Sequence, residues 1–390
     1  MRHAESKAAR SIPHSALRIP HCMGVGAAVV AVLIAGGGTG GHLMPALALA
    51  AALRQARPDI EPVLVGARRG IEAEILPRYP FRHHLLSLEP LYRREWWRNA
   101  RWPFVLWRLR GELRRLAAAE HPALVVGTGG YAAGPVVWWA QRAGIPTAIQ
   151  EQNAFPGLTT RWLARSARQV HLGFPEARAR LRPGRHTAVF TLGNPVRPPE
   201  PGPAAAARTA LGLAPERPTV LAFGGSQGAR AINAALAEAL DRNRLGAINL
   251  LWGTGPAHER GLARYAVSGR VIVRGFFDPM TLAYRAADLL VCRAGAMTTA
   301  ELCAWGKPSV LLPLPTAAAD HQTHNARALA AAGAAVVMVD RDLNGTSLAG
   351  LVNDLLASPA RLASLGQAAA ARGNPDAARE VVSRILTLIQ

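Results

Sequence analysis

Cysteine is scarce. It occurs only as Cys22, Cys292 and Cys303 in 390 residues. Their spacing forms neither a metal-binding pattern nor a disulfide framework, so a zinc module and a disulfide-stapled secreted fold find no support, and a reducing compartment is expected. Lysine is scarcer still, with only Lys7 and Lys307. No apolar run reaches the roughly 18 residues of a membrane-spanning helix. A Gly-Lys-Ser/Thr ending is missing, which removes the P-loop nucleotidases. Acidic residues are outnumbered 25 to 45, for a formal charge of +20. Residues 1–200 hold 27 basic and 12 acidic residues, so the excess sits in the first half. That asymmetry points to an anionic partner: nucleic acid, anionic membrane or a phosphorylated substrate. The dominance of arginine and alanine also fits a bias in genomic base composition.

What is present is a long, half-hydrophobic chain with repeated glycine turns. "AAVVAVLIA" (27–35) is a continuous apolar run of the kind a buried parallel strand shows. "GGGTGGHLMP" (36–45) follows it, then an alanine- and leucine-rich helix that stops near Pro58. Strand, glycine turn and helix together aim backbone N–H groups at one spot, which suits an anion. The dinucleotide fingerprint can be laid over Gly36, Gly38 and Gly41, but its acidic partner about 20 residues on is replaced by Arg68 and Arg69. Strand-like and helical runs alternate throughout, which predicts an α/β protein with parallel sheets.

"NPVRPPEPGPAAAARTALGLAPERP" interrupts this alternation, after which it restarts. The expected organisation is a flexible extension over 1–23, an N-terminal domain over 24–192 and a linker over 193–218. A second domain follows over 219–372, and a helix over 373–390 is expected to pack back on the first. Two Rossmann-like domains facing a cleft bind ligands beyond the carboxyl ends of their strands.

Several stretches carry a family resemblance: "GGGTGGH", "GTGGYAAGP", "EQNAFPGLTTRWLA", "GNPVR", "FGGSQGARAIN" and "CRAGAMTTAELCAWGKPSVLLPLPTAAADHQTHNA". Their order and spacing closely resemble the MurG family of bacterial peptidoglycan N-acetylglucosaminyltransferases, over nearly all of residues 27–388. The resemblance implies the GT-B fold, transfer of GlcNAc from UDP-GlcNAc to lipid I with inversion, and no required metal or cofactor. It also implies peripheral work on the cytoplasmic face of an anionic membrane, with other cell-wall synthesis proteins as further partners and no nucleic acid. Two alternatives stay open: a GT-B transferase with a different acceptor, and a non-catalytic sugar-nucleotide-binding protein.

The same resemblance distributes roles. Glu301 would accept the ribose hydroxyls, and its helix start, Ala296, Met297, Thr298, Thr299 and Ala300, would hold the donor diphosphate. Ser226 would touch that diphosphate, Arg197 and Asn153 the donor, and Phe277 the uracil through its backbone. Gln322 and Asn325 would face the GlcNAc hydroxyls. His321 stands where some relatives carry glutamine, and Trp252-Gly253 where His-Gln is frequent. Thr39, Gly40 and Gly41 would approach a pyrophosphate. His42 is the candidate general base, because imidazole exchanges protons near neutral pH. A role in capping the loop is its alternative. Glu151 is the rival base, and Tyr131 lies on a loop aimed at the same cleft.

"YRREWWRNARWPFVLWRLRGELRR" (92–115) holds eight Arg and four Trp against two Glu. Arginine with tryptophan suits an anionic membrane interface. The nearby "ILPRYPFRHHLL" adds an apolar, basic stretch. A helix whose tryptophans are core is the alternative.

Overall fold

The computed structural model describes residues 30–90, 95–200 and 202–389. The extension expected over 1–23, Cys22, Tyr92 and the side chains of Trp96 and Arg98 lie outside the described residues.

The first domain is a seven-stranded sheet in the order β3-β2-β1-β4-β5-β6-β7, in which every pairing is parallel. The strands are β1 (Val30–Ala35), β2 (Ile60–Ala67), β3 (Arg82–Leu86), β4 (Pro122–Gly127), β5 (Thr147–Glu151), β6 (Gln169–Leu172) and β7 (Ala188–Thr191). The second domain is a six-stranded parallel sheet in the order β10-β9-β8-β11-β12-β13. Its strands are β8 (Thr219–Phe223), β9 (Asn249–Gly253), β10 (Val271–Arg274), β11 (Leu289–Cys292), β12 (Ser309–Leu311) and β13 (Val336–Val337).

The apolar runs are continuous because helices cover both faces of each sheet. Leu33, Val63, Val65 and Val125 join one core with the helix Trp102–Glu120. Val32, Ile34, Leu64 and Val126 point the other way, into the core beneath the helix Gly40–Ala56. In the second sheet Leu221, Leu251 and Leu290 face one core, while Val220, Leu250 and Val291 face the other. Trp252 is fully buried in β9, and its indole N–H donates to Asn233 Oδ1 at 2.9 Å. The departure from the family at that position is therefore a packing residue.

The helix Ala377–Leu386 places Val381, Val382 and Ile385 in the N-terminal core, against the helix Gly40–Ala56. Gln169 of β6 anchors its end by donating to the Arg384 carbonyl at 3.0 Å. The chain thus crosses between domains twice, and Asn374 Nδ2 ties the crossings together by donating to the Leu192 carbonyl at 2.8 Å.

One expectation needs correction. The segment 193–218 is not all linker: Ala204–Ala210 is helical and docks on the second domain, where buried Arg208 binds both oxygens of Asp288 at 2.6 and 2.7 Å. Within "ILPRYPFRHHLL", Arg82–Leu86 forms edge strand β3, in which Arg82 and His84 both bind Glu120 at 2.7 Å. Ion pairing across neighbouring elements hid this strand, because its outward residues do not alternate by hydropathy.

Candidate active site

In both sheets the strand order reverses beside the first strand of the domain, and ligands bind such sheets there. In the first sheet the loops after β1 and β4 meet at that point. Their contact requires glycine. Gly129 and Gly130 have φ of +95° and +76°, and a Cβ on Gly130 would fall 1.8 Å from the Gly37 carbonyl oxygen. One on Gly129 would fall 2.6 Å from His42 Nδ1.

His42 occupies the first turn of the helix Gly40–Ala56. Its Nδ1 lies 3.2 Å from the Thr128 carbonyl oxygen and 3.0 Å from Gln152 Oε1. The Gln152 amide is itself oriented, because its Nε2 donates to Thr128 O at 2.7 Å, to Gln150 O at 3.0 Å and to Gln150 Oε1. Both neighbours of Nδ1 are acceptors, so Nδ1 carries the proton and Nε2 carries the lone pair. Thr39 caps this helix with extended backbone and no side-chain bond, and no acidic residue sits in the first turn. The N–H groups of Gly40 and Gly41 therefore stay open to an anion. Tyr131 packs its ring against Gly38.

Glu151 ends β5, buried. Its Oε1 accepts from Asn153 N at 3.1 Å and Asn153 Nδ2 at 3.3 Å, and its Oε2 accepts from Gly157 N at 3.1 Å. The carboxylate thus clamps the loop 153–157. That loop meets the second domain. Asn325 Oδ1 accepts from Ala154 N at 2.9 Å, and its Nδ2 lies 3.2 Å from both Asn153 Oδ1 and Ala294 O. Phe155 stacks on His324 at 4.7 Å. Asn153 and Asn325, which the resemblance assigns to the donor, are here engaged in this contact between domains.

The second domain answers with its own glycine turns. Gly225 and Gly228 hold φ of +86° and +76° on either side of exposed Ser226. The helix Ala296–Ala304 begins at Gly295 with no side-chain cap. Thr299 N–H is the first to bond back, to Gly295 O at 2.9 Å, leaving those of Ala296, Met297 and Thr298 to face a ligand. The Thr299 hydroxyl is not free, since it donates to Gly295 O and Ala296 O. Ala300 lines a hinge cavity with Thr299. Gln322 Oε1 accepts from Leu314 N at 2.9 Å, which leaves its amide nitrogen for a ligand. The Phe277 ring is buried in the core of the domain.

Glu301 accepts a hydrogen bond from the Tyr284 hydroxyl at 2.6 Å. Burial pushes its carboxyl above the usual range, against the opposing pull of Tyr284 and of Arg197, which is exposed after β7.

Sequence reasoning missed three residues. Gln152 orients His42 and is flagged only by its place in "EQN". Tyr284 reads as an ordinary helix aromatic. Glu72 is fully buried beneath the first glycine loop, where its Oε1 accepts from Gly38 N at 2.5 Å. Gly37, Gly66 and Gly70 leave the room its side chain fills.

The basic aromatic segment is a 3-10 turn, Trp96–Arg101, leading into the helix Trp102–Glu120. Val105, Leu109 and Leu113 face the core, whereas Trp97, Phe104 and Trp107 are 60%, 63% and 74% exposed. These three are surface residues, not core. No helix among the described residues is long and apolar enough to cross a membrane.

Two parallel-sheet domains with opposed glycine turns and a capless helix at the cleft define a GT-B glycosyltransferase. Residues 32–172 match the glycosyltransferase family 28 N-terminal domain, and residues 219–381 its C-terminal domain. The UDP-N-acetylglucosamine–N-acetylmuramyl-(pentapeptide) pyrophosphoryl-undecaprenol N-acetylglucosamine transferase of Chlorobaculum parvum is 45% identical over 362 residues, covering 92% of this chain and 99% of that protein. The Moorella thermoacetica protein of the same name is 41% identical, with the same coverage. The crystal structure of Acinetobacter baumannii MurG superposes with a TM-score of 0.74 at 30% identity, over 92% of this chain and 99% of that one. The chain belongs to the MurG family within glycosyltransferase family 28. A putative UDP-N-acetylglucosamine 2-epimerase from Listeria monocytogenes, TM-score 0.63 at 16% identity, shares the fold alone.

Proposed function

We propose that this protein transfers N-acetylglucosamine from UDP-GlcNAc to the muramyl-pentapeptide of lipid I, making lipid II for peptidoglycan synthesis. The relatives' shared activity, at 41–45% identity over nearly the whole chain, supports the substrates. The observation that carries the chemistry is His42, held through Nδ1 so that Nε2 keeps its lone pair.

His42 Nε2 takes the proton from the acceptor sugar hydroxyl as that oxygen attacks the anomeric carbon of GlcNAc. The bond from that carbon to the diphosphate breaks on the opposite face, so configuration inverts. The electron pair leaves with UDP, whose growing charge meets the open N–H groups at the start of the helix Ala296–Ala304 and its dipole. Glu301 holds the ribose, Gln322 the sugar, and the Gly40 and Gly41 amides a pyrophosphate. Glu151 shapes the loop 153–157 rather than moving a proton, because its oxygens already accept three hydrogen bonds from that loop. Trp97, Phe104 and Trp107 rest on the anionic cytoplasmic membrane surface, where the lipid acceptor is anchored.

The test is incubation with radiolabelled UDP-GlcNAc and a short-chain lipid I analogue. Label in a lipid-linked disaccharide is the expected result. Label passing only to other acceptors would favour a transferase of different specificity. Binding of UDP-GlcNAc without transfer or hydrolysis would favour a non-catalytic protein.

A further inference from the structure

Glu301 has two oxygens, and one is already engaged. The Tyr284 hydroxyl donates to Oε2 at 2.6 Å. Tyr284 is itself immobilised, 3% exposed, with its ring 6.3 Å from Phe223 and 5.8 Å from Trp305. With the tyrosine ring packed beside two aromatic neighbours, its hydroxyl oxygen keeps one position, and the bond it donates fixes the rotation of the carboxylate. Oε1 is then the oxygen left for a ligand.

We infer that Tyr284 is a positioning residue for the nucleotide: it holds the Glu301 carboxylate in one orientation and supports its anionic form, leaving Oε1 to accept the ribose hydroxyls. The inference rests on the placement of Glu301 at the ribose. Burial opposes the charge on Glu301, and the opposing influences are the Tyr284 hydroxyl and the Arg197 guanidinium. The third titratable group beside it is the Cys292 thiol of β11, which burial and Glu301 push up and keep neutral. Among the described residues Tyr284 therefore supplies the short hydrogen bond to this carboxylate. Without it, a buried carboxylate takes up a proton at higher pH, and a protonated Glu301 is a weaker acceptor for two hydroxyls.

The experiment is calorimetric titration with UDP and 2′-deoxy-UDP across acidic to alkaline pH, using the parent, Tyr284→Phe, Glu301→Gln and the double variant. The phenylalanine ring keeps the stack, and thermal melting checks the fold. Tyr284→Phe is expected to weaken UDP roughly 10-fold, the low end for a hydrogen bond to a charged group. The weakening on acidification should begin at a higher pH than in the parent. The preference for UDP over the 2′-deoxy form should shrink. In the Glu301→Gln background Tyr284→Phe should no longer shift the pH profile, the dependence left being that of the ligand's own phosphate, and the double variant should bind no more weakly than Glu301→Gln alone.

A Tyr284→Phe profile that overlies the parent while Glu301→Gln weakens binding would overturn the inference and leave the ribose placement standing. Additive losses in the double variant would also overturn it, because Tyr284 would then act independently of Glu301. A Glu301→Gln protein that binds both nucleotides like the parent would refute the ribose placement itself, and the inference with it.

Discussion

His42 Nδ1 and Gln152 Oε1 are 3.0 Å apart, and the Gln152 amide nitrogen is fixed by the carbonyls of Thr128 and Gln150. The glutamine and the Thr128 carbonyl together set the tautomer of the histidine. The base we propose here thus has its free nitrogen decided before substrate arrives, so that less reorganisation would accompany proton transfer.

His42→Ala should lower kcat by about 10²–10⁴-fold, the usual range for a general base, with donor affinity little changed. The acidic limb of the kcat–pH profile should vanish. Gln152→Leu removes one of the two acceptors at Nδ1 and leaves the Thr128 carbonyl and the ring, so its loss of kcat should be smaller and the limb should persist. A drop of less than tenfold for His42→Ala, read by steady-state kinetics, would reduce His42 to a loop cap.

Glu72→Ala should leave the half-buried Gly38 N–H without its carboxylate partner, at a cost of about 1 kcal/mol. The loop before His42 then loosens, and acceptor turnover should fall more than UDP binding does. Glu72→Gln keeps an acceptor oxygen and should restore most of the loss. Denaturant melts and acceptor kinetics on both variants would decide; equal damage in the two would mean that charge, not the hydrogen bond, is what the loop needs.

Changing Trp97, Phe104 and Trp107 together to Ser should release the protein from anionic vesicles. Turnover of a soluble acceptor analogue should be nearly unchanged, because these rings point away from the core. Binding by the parent should weaken with salt, since each basic residue near an anionic surface contributes about 1 kcal/mol. Equal co-sedimentation of variant and parent would remove this surface from consideration.

His171 sets a pH dependence of stability. It is fully buried on β6, its Nε2 bonded to Gln169 Oε1 at 3.0 Å, and burial, aided by nearby Arg384, lowers its pKa from 6.5 to about 4. Between those values the unfolded chain binds a proton that the folded chain refuses, so stability is complete above the unfolded value and falls as pH drops toward 4. The whole window is worth up to about 3 kcal/mol. His171→Gln should flatten this part of the stability–pH curve, as measured by urea melts at several pH values.

The sequence by itself determined the two sheets, their parallel character and the family. Continuous apolar strands such as Leu289–Cys292 can exist only where both faces are covered, and the glycine turns that follow them need no long-range information to be recognised. It also singled out His42 and Glu301 by their place in the helices that open after those turns. Tertiary structure alone decided what those residues do to each other. The ring nitrogen of His42 that carries the proton is set by Thr128 and Gln152, 86 and 110 positions away. The free oxygen of Glu301 is set by Tyr284, and the conformation of the first loop by Glu72, 34 positions from Gly38. Edge strand β3 became legible only once Glu120 stood beside Arg82 and His84. The physical reason is common to all four. A hydrogen bond or an ion pair depends on distance and direction between groups that the fold brings together, and neither quantity is written in the local pattern of apolar and polar residues.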